Sequence, residues 1–290
     1  MNSFWSHTIW YLLLGVATLI QVIYTLYHSE NRLRTFAFYL SIVGLPLYFE
    51  TFIMIFLNAY EYSPQIIQNP KLDPFNDVLA GNLFSQFGVP SSALLLTVRR
   101  KRFYWYVVVS FIYSMVEVLF VYLDIYRHYW WRTWMTFVAL LLFFAISKWM
   151  YSHLVRGVSS SYFKIYILLG MFPICTILFI WGVLDLFGYM QFTTTLFSNH
   201  PRISRYGLYV IFTLVSYSLV IWGYFRKHWI WKIVSLPLVG ILIYFGNRGH
   251  LLVFREGYFV PIGISMIIWM YFSVWFLDTL YGRRPVRKPL

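Results

Sequence analysis

Apolar stretches recur along the whole chain, parted by short polar breaks. Nine of them read as helices, at roughly 8–27, 35–59, 78–98, 103–123, 134–154, 163–186, 206–224, 229–246 and 258–281. A helix needs about 20 mostly apolar residues to cross hydrocarbon, so the pattern predicts an all-α fold, a polytopic bundle of about nine transmembrane helices. The weakest division is the short break from Asn247 to Glu256. The segment Glu61 to Asp77 is of another kind. With Pro64, Pro70 and Pro74 it reads as an ordered or extended loop instead of a helix. The stretch Gly157-Val158-Ser159-Ser160-Ser161 is the best boundary, giving an N-terminal five-span unit, 1–157, and a C-terminal four-span unit, 158–290. The halves show no convincing repeat, and the inverted repeat of many secondary transporters is absent or too diverged to detect.

Polar residues inside the apolar runs carry the candidate chemistry, because an ionisable side chain in hydrocarbon is costly. Glu50 in the second run and Glu117 in the fourth are the two deep ones. At about 1.5 Å per residue, Glu50 lies roughly 13 Å and Glu117 roughly 9 Å from the same end of the bundle. The third run, antiparallel to both, brings Asn82 and Gln86 to similar depth, with Ser85 on their face. In the fourth run Tyr106, Ser110, Tyr113, Ser114, Glu117 and Asp124 form one helical stripe. Glu50, Asn82, Ser85, Gln86, Ser114 and Glu117 are therefore the candidate buried polar site. Prolines 46, 90, 173, 237 and 261 also fall inside runs, where each removes a backbone donor and frees a carbonyl. The plainer reading of the acids is that they only hold helices together.

The run from Tyr126 to Trp134 is the densest aromatic and cationic cluster. Such residues favour the headgroup layer, so it reads as an interfacial belt. The sharper reading is contact with a lipid or sugar headgroup by Arg127, His128, Trp130, Trp131 and Arg132. Asp278 is expected to meet Arg283 or Arg284, Lys148 to snorkel outward, and Asp185 to sit solvated near a helix end.

Composition narrows the class. The chain is 60% hydrophobic and 11% charged, less than half the usual charge of about 25% in a soluble domain. The net charge of +13 does not point to nucleic acid, since the cations form small clusters at run ends instead of one face. Contact with anionic inner-leaflet lipid explains them better. Loops on one side hold 16 Lys and Arg, including Arg99-Arg100-Lys101-Arg102 and the basic tail, against 7 on the other. That bias places the N-terminus outside and the C-terminus in the cytoplasm, as in a multi-pass plasma-membrane protein. Cys175 is the only cysteine, which excludes an intramolecular disulfide and a cysteine metal cluster. Met1 to His7 holds no Lys or Arg ahead of the first run, a poor signal peptide, so that run is expected to be retained. No His-Glu-x-x-His, Walker glycine loop or Gly-x-Ser-x-Gly elbow occurs. No catalytic, cofactor or metal residue is therefore expected, and the reading leans away from an enzyme.

Two stretches resemble a family of membrane proteins of spore-forming Gram-positive bacteria that has no known activity. One is Phe75-Asn76-Asp77 through Gly81-Asn82-Leu83-Phe84-Ser85-Gln86 to Pro90. The other is Val116-Glu117-Val118-Leu119-Phe120 with Asp124 to Trp134. The resemblance covers roughly residues 30 to 150. It implies a bacterial plasma-membrane protein linked to the sporulating lifestyle, and no activity. Three readings stay open: a protein that binds or passes a small solute, ion or lipid through its N-terminal bundle; a structural or sporulation-associated protein whose acids fix packing; and an intramembrane enzyme acting on lipid. A cavity reaching the two glutamates would favour the first, a sealed interior the second, and a side opening toward lipid the third.

Overall fold

The computed structural model describes residues 4–67, 75–197 and 200–282. The chain forms two compact units that divide between Val158 and Ser159. Among the described residues, eight helices are long and apolar enough to cross a membrane, and the protein is a multi-pass integral membrane protein.

In the first unit, wide turns over Phe4–Thr8 lead into α1 (Ile9–Tyr27). Next comes α2 (Arg32–Glu50), which continues in wide turns over Thr51–Phe56, and then strand β1 (Tyr60–Tyr62). The unit is completed by α3 (Phe75–Val98), α4 (Phe103–Tyr122), β2 (Tyr126–His128) and α5 (Thr133–Arg156). Asn31 starts α2 by accepting from the Arg34 N–H at 3.0 Å, satisfying one orphan donor of the first turn. Pro46 has no N–H to give, and α2 loosens shortly beyond it, where Leu57 N–H reaches back five residues to Phe52.

The helix missing from the eight is α3. It has the length to span, but it carries Asn76, Asp77, Asn82, Gln86, Ser91, Ser92 and Thr97. It packs against α1, α2, α4 and α5, so most of its surface meets protein. A helix enclosed in this way need not be apolar. Asp77, in its first turn, accepts from the N–H groups of Gln65, Ile66 and Ile67 at 2.9, 2.7 and 2.8 Å. Charge-assisted bonds of this kind contribute about 1.5–3 kcal/mol each. Asp77→Ala is therefore expected to free the 63–67 loop while leaving the helices intact. Faster backbone exchange confined to Gln65–Ile67 would bear this out, and unchanged exchange there would contradict it.

Among the described residues, the segments between helices hold four short strands, which the all-α expectation did not include. β1 pairs antiparallel with β2, Tyr60 opposite His128, Glu61 opposite Arg127 and Tyr62 opposite Tyr126. Tyr60 and Tyr62 are buried on one face, while Glu61 stands opposite Arg127 in register on the other, a placement that favours opposite charges. Asn58 and Asp124 precede the strands in the left-handed conformation that Asn and Asp tolerate. The segment read as a loop to Asp77 thus begins as a strand and ends inside α3.

The second unit runs α6 (Ser160–Met171), extended in wide turns over Phe172–Asp185, then β3 (Met190–Phe192), α7 (Pro201–Tyr224), α8 (Ile230–Arg248), β4 (Leu252–Phe254) and α9 (Phe259–Tyr281). Here β3 pairs with β4, Met190 opposite Phe254 and Phe192 opposite Leu252. This order of elements is that of α2 to α5. A constant shift of 126 residues carries Phe75 to Pro201, Tyr126 to Leu252 and Thr133 to Phe259, the starts of matching elements. Gly188 and His250 take the left-handed places of Asn58 and Asp124. Thr193 N–H bonds Leu251 as Ser63 N–H bonds Ile125. No repeat is convincing in the sequence, yet the order of elements is repeated. The repeat lies in element lengths, turns and strand register, where few side chains coincide.

Asp185 is not solvated. It is 1% exposed and ion-paired with Arg205, itself 4% exposed, which ties the end of α6 to the start of α7. Asp278 accepts from the Tyr224 hydroxyl at 3.1 Å. Its expected partners, Arg283 and Arg284, lie outside the described residues. Lys148 is exposed, with its ammonium 5.5 Å from the Tyr106 ring centre.

Candidate functional site

A cavity of about 340 Å³ lies inside the first unit, at the small end of the range for ligand pockets. Glu50 enters it from α2, Ser85 and Gln86 from α3, and Glu117 from α4. Four of the six residues of the candidate polar site therefore meet at one cavity. Asn82 and Ser114 are buried but do not line it.

The two carboxyls are held differently. Both oxygens of Glu117 are occupied, one 2.8 Å from His128 Nε2 and the other accepting from Thr136 Oγ1 at 2.5 Å. Trp131 Nε1 donates to the same Thr136 oxygen at 2.7 Å, locking that hydroxyl toward the carboxylate. Glu50 is bonded by the side chains of Gln86 and Tyr60. Yet its Oε2 is buried without a partner, and so is Gln86 Oε1. Buried polar atoms are seldom left unpaired, and two of them at one cavity mark a place for a ligand atom or water.

The rest of the wall is apolar and aromatic. Tyr60, Tyr62 and Tyr126 come from the β1–β2 ribbon, with Trp131 just beyond it and Phe120 on α4. Ring centres lie 5.2 Å apart for Tyr60 and Tyr126, 4.9 Å for Tyr62 and Tyr126, and 5.9 Å for Tyr60 and Trp131. Burial, then the Glu50 charge, pushes the phenols of Tyr60 and Tyr62 well above the usual tyrosine range. Burial, then neighbouring Tyr62 and the two glutamates, does the same for Tyr126. All three remain neutral hydroxyls at ordinary pH.

The cavity reaches the side of the unit. Phe49 on α2 and Leu142 and Ile146 on α5 line it and are 50%, 59% and 43% exposed. All three sit within helices of membrane-spanning length and apolarity. Helix α1 helps to make the space. It packs along α3, with Thr18 next to Gly88, and α3 touches α4 only sparingly. In the second unit, which has no counterpart of α1, α7 and α8 pack closely.

The headgroup candidates divide. His128 and Trp131 turn inward to the Glu117 and Thr136 network. Arg127 is exposed over the Tyr129 ring, Trp130 donates to the Leu57 carbonyl at 2.7 Å, and Arg132 caps the Tyr129 and Trp131 carbonyls. They do not form one cluster with His128. Sequence reasoning missed Tyr60, Tyr62, Tyr126 and Thr136. The alternation Tyr60-Glu61-Tyr62 was the signal for a strand with both rings on one face.

No family model, no curated protein and no solved structure matches this chain.

Proposed function

We propose that this membrane protein binds a small, mostly apolar molecule in the cavity of its first unit. Glu50 and Gln86 offer the unpaired acceptor atoms, Glu117 is the carboxyl already held by His128 and Thr136, and entry is from lipid between α2 and α5. The observation that carries this reading is the second unit, which repeats the order of elements and the strand ribbon without the polar residues of the site. The 126-residue shift places Phe212 at Gln86, Ile243 at Glu117, Leu252 at Tyr126, Phe254 at His128 and Ile262 at Thr136. Ribbon register places Met190 and Phe192 at Tyr60 and Tyr62. Glu50 matches the run Leu178-Phe179-Ile180-Trp181, which holds no carboxyl. Acids needed only to pack this arrangement would be needed in both copies.

Accessibility of Ser85 tests the reading. Ser85→Cys is close to isosteric, and in a Cys175→Ser background it is expected to react with the small neutral reagent methyl methanethiosulfonate in intact, folded protein. Adding Ala139→Trp, which fills the cavity from α5, is expected to slow the reaction sharply. An inert Ser85→Cys in folded protein would mean a sealed interior and a structural role for the acids.

The cation bias supports nine spans with the N-terminus outside and the C-terminus in the cytoplasm. Cysteines placed beside Pro70 are then expected to label from outside intact cells, and those beside Arg100 or Arg284 only after permeabilisation. External labelling beside Arg284 would reverse the assignment.

A further inference from the structure

The wall of this cavity has a one-sided chemistry. Among the described residues it carries two carboxyls, Glu50 and Glu117, and no Lys, Arg or His; its other titratable groups are the hydroxyls of Tyr60, Tyr62, Tyr113 and Tyr126. His128 is spent on Glu117 from outside the wall. The free atoms, Glu50 Oε2 and Gln86 Oε1, are both acceptors, so the missing partner is a donor. Around them stand clustered aromatic rings, whose negative faces attract cations and which form cages for ammonium groups in other recognition sites. An anionic ligand would find two carboxyls and no cation in the wall to receive it, and a pure hydrocarbon would leave the two acceptors unmet. Resting on the cavity reading above, we propose that the ligand is an amphipathic organic cation, an ammonium group on an apolar body. The ammonium lies against Glu50 and Gln86 among the ribbon tyrosines, and the apolar body lies along Leu142, Phe143 and Ile146.

Protection of the cysteine at position 85 reads this out. The Ser85→Cys, Cys175→Ser protein is placed in lipid nanodiscs and modified with methyl methanethiosulfonate in the presence of octylammonium, whose three N–H groups can donate to both acceptors, its neutral carbon isostere nonane, or the anion octanesulfonate. The cation is expected to slow modification by about tenfold or more, well beyond the isostere at equal membrane concentration, and the anion not at all. Glu50→Gln is expected to remove the preference for the cation, and modification without any ligand reports that this variant still folds around an open cavity. Nanodiscs of phosphatidylethanolamine and of phosphatidylglycerol separate the sources. Slower modification in the aminolipid before any addition supports a lipid amine as the occupant, and equal rates with protection only by the added amine support a free one. Equal protection by cation and isostere, or protection by neither at a reactive cysteine, would overturn the cation class while leaving the cavity standing. An unreactive cysteine would overturn the cavity reading itself.

Discussion

Asp185→Ala is expected to cost the second unit about 3–5 kcal/mol, because it removes the carboxylate that faces a buried guanidinium. Asp185 and Arg205 are 1% and 4% exposed, and the pair joins two consecutive membrane helices at their ends. A charge in that position cannot recover its hydration without opening the α6–α7 contact. The double change Asp185→Leu, Arg205→Met is expected to recover most of the loss, since an apolar pair needs no partner. Thermal unfolding of the purified protein in lipid, with cysteine accessibility along α7 to assign the transition, measures both. A single variant that loses less than about 1 kcal/mol would mean that the pair is solvated after all.

Glu117→Ala is the change with the next largest expected effect. It strips the acceptor from His128 and Thr136 together, and Trp131 loses the orientation of the hydroxyl it donates to. Each buried polar group left without a partner costs about 1–3 kcal/mol. Glu117→Gln keeps an acceptor oxygen and the side chain's size, so it is expected to lose much less. Comparing the two by unfolding in lipid separates the hydrogen-bonding role of Glu117 from its charge. Equal loss in the two variants would place the effect in the charge alone.

The helices were legible because bilayer thickness sets their length and apolarity marks it. All nine apolar runs became helices, with ends within about 5 residues of those read from sequence once the wide-turn extensions of α2 and α6 are counted. The inward stripe of α4 was legible for five of its six residues, since Tyr106, Ser110 and Ser114 are buried and Tyr113 and Glu117 line the cavity. Asp124 falls past the end of the helix in a left-handed turn and is exposed. Glu50, Gln86 and Glu117 converged because helices of known direction put known residues at known depth. The ribbon tyrosines did not, because three-residue strands from segments 64 positions apart, Tyr62 and Tyr126, leave no periodic signal long enough to read. The burial of Asp185 depends on Arg205, and no local pattern joins residues on different helices. The repeat escaped for a related reason: what the units share is backbone geometry, and the polar side chains that made the first unit conspicuous are the ones the second lacks.

The central claim is that the polar site serves a ligand and is not required by the fold. Its most direct test is to write apolar residues, as in the second unit, into the first, as Glu50→Leu, Gln86→Phe, Glu117→Ile, His128→Phe and Thr136→Ile, in one chain carrying Ser85→Cys and Cys175→Ser. The same chain carries Tyr60→Phe and Trp131→Phe, to remove the donors that would be left unpaired. The quantity to measure is the thermal midpoint in lipid, read beside the modification rate at position 85. We expect a midpoint at or above that of the parent, because a complete polar network exchanged for fitting apolar side chains is often neutral or stabilising, together with a cavity closed to the reagent and no protection left for the cation to confer. A protein that fails to fold, or melts far below the parent and below Glu117→Ala alone, would show that the network holds the first unit together and would contradict the account.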